Sequence, residues 1–222
     1  MNKTDSSHWR GALSRRTALT LLAVLTAVCR AQEKPAPLAA CIEPAVIRTE
    51  AARLMPGSKL TVIVPARPDE IGLLRLSKEE FAATGLTWEK FLTEAAATAA
   101  AHLKTLKPDI KRDKKGTAQY AVLKSDSHLT ASTVLCPEFF ALFRETFGDK
   151  LVVLMPDRFT VYVFPRGFAG FQTMGPDILT TFQKSTWPAS QEAFELTPDG
   201  LKCLGAFELE EEAPEAPANK PS

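Results

Sequence analysis

Two apolar runs, Lys150–Met155 and Phe159–Phe164, stand three residues apart with Pro156-Asp157-Arg158 between them. Branched and aromatic residues fill both runs, and a Pro-Asp pair presets turn geometry. Together they predict an antiparallel hairpin, the strongest strand signal in the chain. The domain is thereby committed to a sheet that needs an apolar covering layer.

The covering layer is readable upstream. Ser77-Lys78-Glu79-Glu80 has the form of a capping box and starts a short helix that Gly85 should stop. Thr87 caps a second start, after which Trp88, Phe91, Leu92, Ala95, Ala99, Leu103 and Leu106 recur at helical spacing up to Pro108. A further helix is expected from about Ser132 to Phe147, with Leu135, Phe139, Phe140, Leu142, Phe143 and Phe147 on its apolar face and Gly148 as its stop. Lys59–Pro65, Ile71–Leu76, Gln119–Lys124 and Leu201–Leu209 read as further strands, with Pro68-Asp69-Glu70 as a turn. Glu43–Leu54 reads as a short helix, Asp109–Gly116 as a solvated basic loop, residues 165–176 as a Gly-rich aromatic loop, and Asp177–Lys184 as a helix. Strands and helices are segregated more than alternated. The expected fold is therefore α+β, a single compact domain with antiparallel strands packed against amphipathic helices.

Composition sets the outer bounds. With 222 residues, 45% hydrophobic and 24% charged, the chain suits a globular protein and excludes collagen, wholesale disorder and a polytopic membrane protein. The net charge of +1 argues against a general nucleic-acid binder.

The N-terminus reads as an address. A long polar region precedes the apolar run Thr17–Val28, followed by Cys29-Arg30-Ala31, the three-part layout of a signal peptide over residues 1–31. Ser14-Arg15-Arg16-Thr17-Ala18-Leu19 favours the twin-arginine route, with Ala18 where Phe is usual. The run is too short for a stable transmembrane anchor. Export to the periplasm or outside the cell is expected, with lipid attachment at Cys29 or Cys41 disfavoured: Val28 is too large beside Cys29, and Cys41 is separated from the apolar run. Those 31 residues hold five basic side chains against Asp5 alone, so the remainder is net acidic. Residues 32–40 read as a Pro/Ala linker, 41–208 as the domain, and 209–222 as an acidic disordered tail. Cleavage after Ala31 leaves Cys41, Cys136 and Cys203, enough for at most one disulfide and a free thiol.

Candidate chemistry is sparse. No P-loop, dinucleotide fingerprint, metal-ligand motif or C-x-x-C pair occurs, so no metal or cofactor is expected. Asp126, His128 and Ser132 contain the residue types of a hydrolase triad, without the G-x-S-x-G elbow that exposes a nucleophilic serine. Gly167-Phe168-Ala169-Gly170 matches an RNA-clamping G-x-x-G only superficially. Asp157, Arg158 and Arg166 offer forked contacts to a carboxylate or phosphate, and Phe168 and Phe171 offer apolar contact beside them. Lys111, Arg112, Lys114 and Lys115 form a basic loop able to meet anionic surfaces.

Leu76-Ser77-Lys78-Glu79-Glu80, Thr84-Gly85-Leu86-Thr87-Trp88-Glu89-Lys90, Asp126, Ala131-Ser132 and Gly148-Asp149-Lys150 through Met155-Pro156-Asp157-Arg158 together resemble the YtpQ family of bacterial proteins, over residues 76–165. The resemblance implies a compact α+β domain and carries no established catalytic residue across. The export signal and the Asp109–Lys115 loop depart from that pattern. The expectation is a non-enzymatic binding or adaptor domain of the cell envelope whose partner is an envelope protein or a small ligand, with a hydrolase built on Asp126, His128 and Ser132 as the alternative.

Overall fold

Ten strands and four α-helices follow one another in the computed structural model, which describes residues 36–47 and 49–207. The expected signal peptide, 1–31, and the expected acidic tail, 209–222, lie outside the described residues. From Pro37 onward the described residues form one compact unit of α+β type. No described helix is long and apolar enough to cross a membrane.

The first sheet is built on β3 (Thr61–Asp69). β1 (Ala39–Pro44) pairs with it along one edge, and β2 (Arg53–Leu54) and β4 (Gly72–Arg75) also pair with it. The second sheet has six strands in the order β10-β9-β7-β8-β6-β5. They are β5 (Asp109–Arg112), β6 (Ala118–Lys124), β7 (Leu151–Asp157), β8 (Thr160–Pro165), β9 (Glu192–Thr197) and β10 (Gly200–Ala206). Every pairing in both sheets is antiparallel.

Between β4 and β5 lie α1 (Lys78–Ala83) and α2 (Trp88–Leu103). Ser77 and Glu80 complete the reciprocal capping box, with Ser77 Oγ accepting from Glu80 N at 3.1 Å and Glu80 Oε2 accepting from Ser77 N at 2.7 Å. Ser77→Ala should therefore cost about 1 kcal/mol, read from urea denaturation midpoints. Phe91, Ala95 and Ala99 form the buried seam of α2. That seam packs with Ala40 and Ile42 of the first sheet and Leu151, Val153 and Phe194 of the second in one core. On the other face of the second sheet, α4 (Phe171–Lys184) covers Val152, Leu154 and Phe164 through Ile178.

Several sequence expectations are corrected. Glu43–Leu54 is not a helix: β1 runs to Pro44, a 3-10 turn occupies Ala45–Ile47, and Arg53–Leu54 pair with β3. Strand pairing has overridden local helix propensity there. The linker ends earlier than expected, because Leu38, Ala39 and Ala40 are buried and β1 opens at Ala39. The helix expected from Ser132 is divided into a 3-10 turn, Ala131–Leu135, and α3, Pro137–Phe147. Cys136, held extended by the proline after it, separates the two. Asp109–Arg112 is an edge strand paired to β6, and its charged side chains suit an unpaired edge. Part of the aromatic loop is helical, since α4 begins at Phe171 and carries Pro176 inside it. Pro156 belongs to β7, at a register irregularity, and the turn residues are Arg158 and Phe159. β9 pairs with both β7 and β10 in a segment where the sequence pattern predicts no strand.

Two buried carboxylates tie distant parts of the fold together. Glu43 on β1 accepts from Arg158 in the β7–β8 turn and from Arg75 Nε at 2.7 Å. Glu192 on β9 accepts from Ser58 Oγ, from Thr61 Oγ1 at 2.6 Å, from Lys59 N at 3.2 Å and from Cys203 Sγ at 3.4 Å. Cys203 N also donates to Pro56 O at 2.9 Å. This second cluster fastens the β9–β10 hairpin to the start of β3.

Candidate functional site

The residues singled out in the β7–β8 turn are structural. Arg158 is 2% exposed, and its guanidinium lies 4.7 Å from the Trp187 ring centroid while it pairs with Glu43. The carboxylate that this arginine receives is thus an internal one. Asp157 Oδ1 accepts from Phe159 N at 3.0 Å and shapes the turn.

Asp126, His128 and Ser132 do not assemble into a triad. Ser132 is buried and donates its hydroxyl to the carbonyl of Ala40. The His128 ring packs edge-on against Phe159 and Trp187, with Nδ1 3.5 Å from Arg158 Nη1. Burial, reinforced by the Arg158 charge, holds the His128 imidazole below its ordinary pKa. No hydrogen bond joins any two of the three residues. Asp126 and His128 do share a polar recess of about 320 Å³ with Asp69, Glu70 and Gly72. Gly72 is required there: its φ is +143°, and a Cβ would lie 2.9 Å from the imidazole.

Three of the expected contact residues do converge. Arg166, Phe168 and Phe171 line a cleft of about 640 Å³ with Val152, Pro165 and Leu204. Phe168 stacks on Phe164, with centroids 5.5 Å apart, and a Cβ on Gly170 would meet its ring at 2.5 Å. Phe171 packs against Phe164 and Phe207. Arg166 pairs with Glu195 at 2.8 Å. Most of this aromatic surface serves to seat α4 on the sheet.

A second cleft, of about 550 Å³, was not expected. Trp88 and Leu92 of α2 form one wall, Leu135, Pro137 and Phe140 the floor and opposite side, and the β9–β10 hairpin from Leu196 to Leu201 the rim, with Leu54 completing it. A shallower depression of about 430 Å³ continues along Ala96 and Ala97, sharing Leu92, Leu135 and Pro137. Trp88, Leu92, Leu135 and Phe140 are half-buried, and Leu54 is 49% exposed. Arg144, whose Nε donates to Asp149 at 2.6 Å, stands at the lining's polar end, and Arg53 lies 4.7 Å from the Trp88 ring centroid. An apolar lining with a few charged groups at its margin is the chemistry of a ligand seat.

The cysteines among the described residues are free thiols: Cys41 and Cys136 are buried, and Cys203 is partly exposed. Burial, together with the neighbouring Glu43 carboxylate, pushes the Cys41 thiol far above its ordinary range. Burial likewise raises Cys136, to about 11. Among the described residues, no group of three or more His, Cys, Asp or Glu side chains is arranged to hold a metal ion. Comparison of the chain with protein-family models, with curated proteins and with solved structures finds no match in any of the three.

Proposed function

We propose that this chain is a non-enzymatic binding domain of the cell envelope, with the cleft between α2, α3 and the β9–β10 hairpin as its ligand seat. One observation carries the reading: half-buried Trp88, Leu92, Leu135 and Phe140 line a cavity of about 550 Å³ beside the main core. That volume falls in the range of small-molecule sites, and the lining would hold an apolar body while the rim charges meet a polar end. The leader at residues 1–31 supports the envelope placement. The hydrolase alternative loses its nucleophile, because Ser132 is committed to the Ala40 carbonyl.

Titration with 1-anilinonaphthalene-8-sulfonate under native conditions tests the seat. The dye should brighten on wild type, and Leu92→Glu or Phe140→Glu should each weaken its binding by about tenfold or more, the loss of one apolar side chain's burial. Asp126→Ala should leave the titration unchanged. Absence of native-state dye binding, or equal binding by the cleft variants and wild type, would overturn the assignment.

A further inference from the structure

The β5–β6 hairpin carries Lys111, Arg112, Lys114 and Lys115, all exposed, around the turn at Gly116. The two acids of this hairpin are both engaged. Asp109 pairs with Lys111 at 2.5 Å, and Asp113 is held inside the turn, where Oδ1 accepts from Lys115 N and Thr117 N and Oδ2 from Gln119 Nε2. Lys114 and Lys115 have no ion-pair partner among the described residues.

Register ties this charge to an aromatic surface. Lys111 stands opposite Tyr120, so both project from the same face of the sheet. Tyr120 lies 6.0 Å from Phe168, which is half-buried in the loop after β8 beside exposed Arg166, Gly167 and Ala169. Leu204, 45% exposed, closes the same cleft. Cations at a hairpin tip beside partly exposed rings on one sheet face match the interfacial zone of a bilayer, where lysine and arginine meet anionic headgroups and aromatic rings sit at headgroup depth. We infer that this face docks reversibly on anionic phospholipid membranes, independently of the α2–α3 cleft. A nucleic acid fits less well: the cations occupy one short hairpin, and the chain as a whole is nearly neutral.

Co-flotation of the full chain with vesicles of phosphatidylcholine, pure or mixed with phosphatidylglycerol, tests this surface. The apolar run Thr17–Val28 is common to every variant, so its contribution cancels in the comparison. Partitioning should rise with the phosphatidylglycerol fraction and fall at high salt. The triple variant Lys111→Glu, Lys114→Glu, Lys115→Glu should lose on the order of a hundredfold or more. Phe168→Ser should lose several-fold on anionic vesicles while keeping the salt dependence. The three lysines are exposed, and an unchanged circular-dichroism melt of the triple variant keeps the comparison valid. Equal partitioning on neutral and anionic vesicles, or no loss in the triple variant, would overturn the inference. So would a triple variant that loses binding to a short DNA duplex and keeps vesicle binding.

Discussion

Replacing Arg158 with alanine is expected to lower the unfolding free energy by about 3–5 kcal/mol, the cost of leaving a buried charge without its partner. Glu43 is fully buried, and Arg158 Nη2 and Arg75 Nε both donate to the same oxygen, Oε1. Arg75 is 36% exposed, so after the substitution the carboxylate would keep one cation that water already shares. In a domain of this size the loss corresponds to a fall in melting temperature of roughly 6–20 °C. The backbone of Arg158 would be undisturbed, since its N–H donates to Trp187 O and its carbonyl accepts from Ala131 N. The partner substitution separates charge burial from packing. Arg158→Met alone should be nearly as damaging as alanine, whereas Glu43→Met combined with Arg158→Met should regain much of the stability, because an apolar pair of similar volume needs no desolvation. A single Arg158→Ala variant that melts with wild type would show that the pair contributes nothing. A double variant no better than the single would place the loss in packing on Trp187.

The same residue shows where sequence reading stops. The hairpin around Arg158 is legible because strand propensity and turn chemistry act over neighbours, and the capping box at Ser77 and Glu80 is legible for the same reason. The partner of Arg158 lies 115 positions away on a segment that reads locally as helix. Nothing in residues 43–54 announces that β1 will pair with β3. An arginine in a surface hairpin therefore reads as available for a ligand when the fold has already given it one. The cleft is hidden differently. Two of its residues, Trp88 and Leu92, are in the apolar stripe of α2, but that stripe contains two seams. Phe91, Ala95 and Ala99 are buried, while Leu92 and Ala96, each one position on, and Trp88, three before Phe91, are only partly so. Two adjacent seams on one helix mean that two surfaces must be covered. The sequence does not say that α3 and the β9–β10 hairpin would leave the second partly open.

Glu192 should prove the second most sensitive position, and its effect should depend on pH. The carboxylate is 3% exposed and faces two hydroxyls, two backbone amides and a thiol drawn from both sheets. Burial alone would raise its pKa, but hydrogen bonds from Ser58, Thr61, the Lys59 amide and Cys203 together hold it below the ordinary carboxyl value. A group whose pKa is depressed in the folded state stabilises the fold fully above its unfolded pKa, about 4.3 for glutamate, and loses that contribution as pH falls through the folded value. Glu192→Gln keeps the shape, yet turns an NH2 group toward donors that need an acceptor. It should cost about 3 kcal/mol at neutral pH, the scale of a hydrogen bond to a charged group plus the donors left unmatched. Denaturation midpoints measured from pH 7 down to pH 3 should show the gap between wild type and Glu192→Gln constant at first and closing only below about pH 4. A gap that persists unchanged into acid would mean that the carboxylate's charge is not what fastens the hairpin to β3. Closure of the gap would leave the β9–β10 hairpin, one side of the proposed ligand seat, anchored to the first sheet by a single ionised side chain. Dye binding at the cleft should then weaken over the same acidic range in wild type, and remain weak across the whole range in Glu192→Gln.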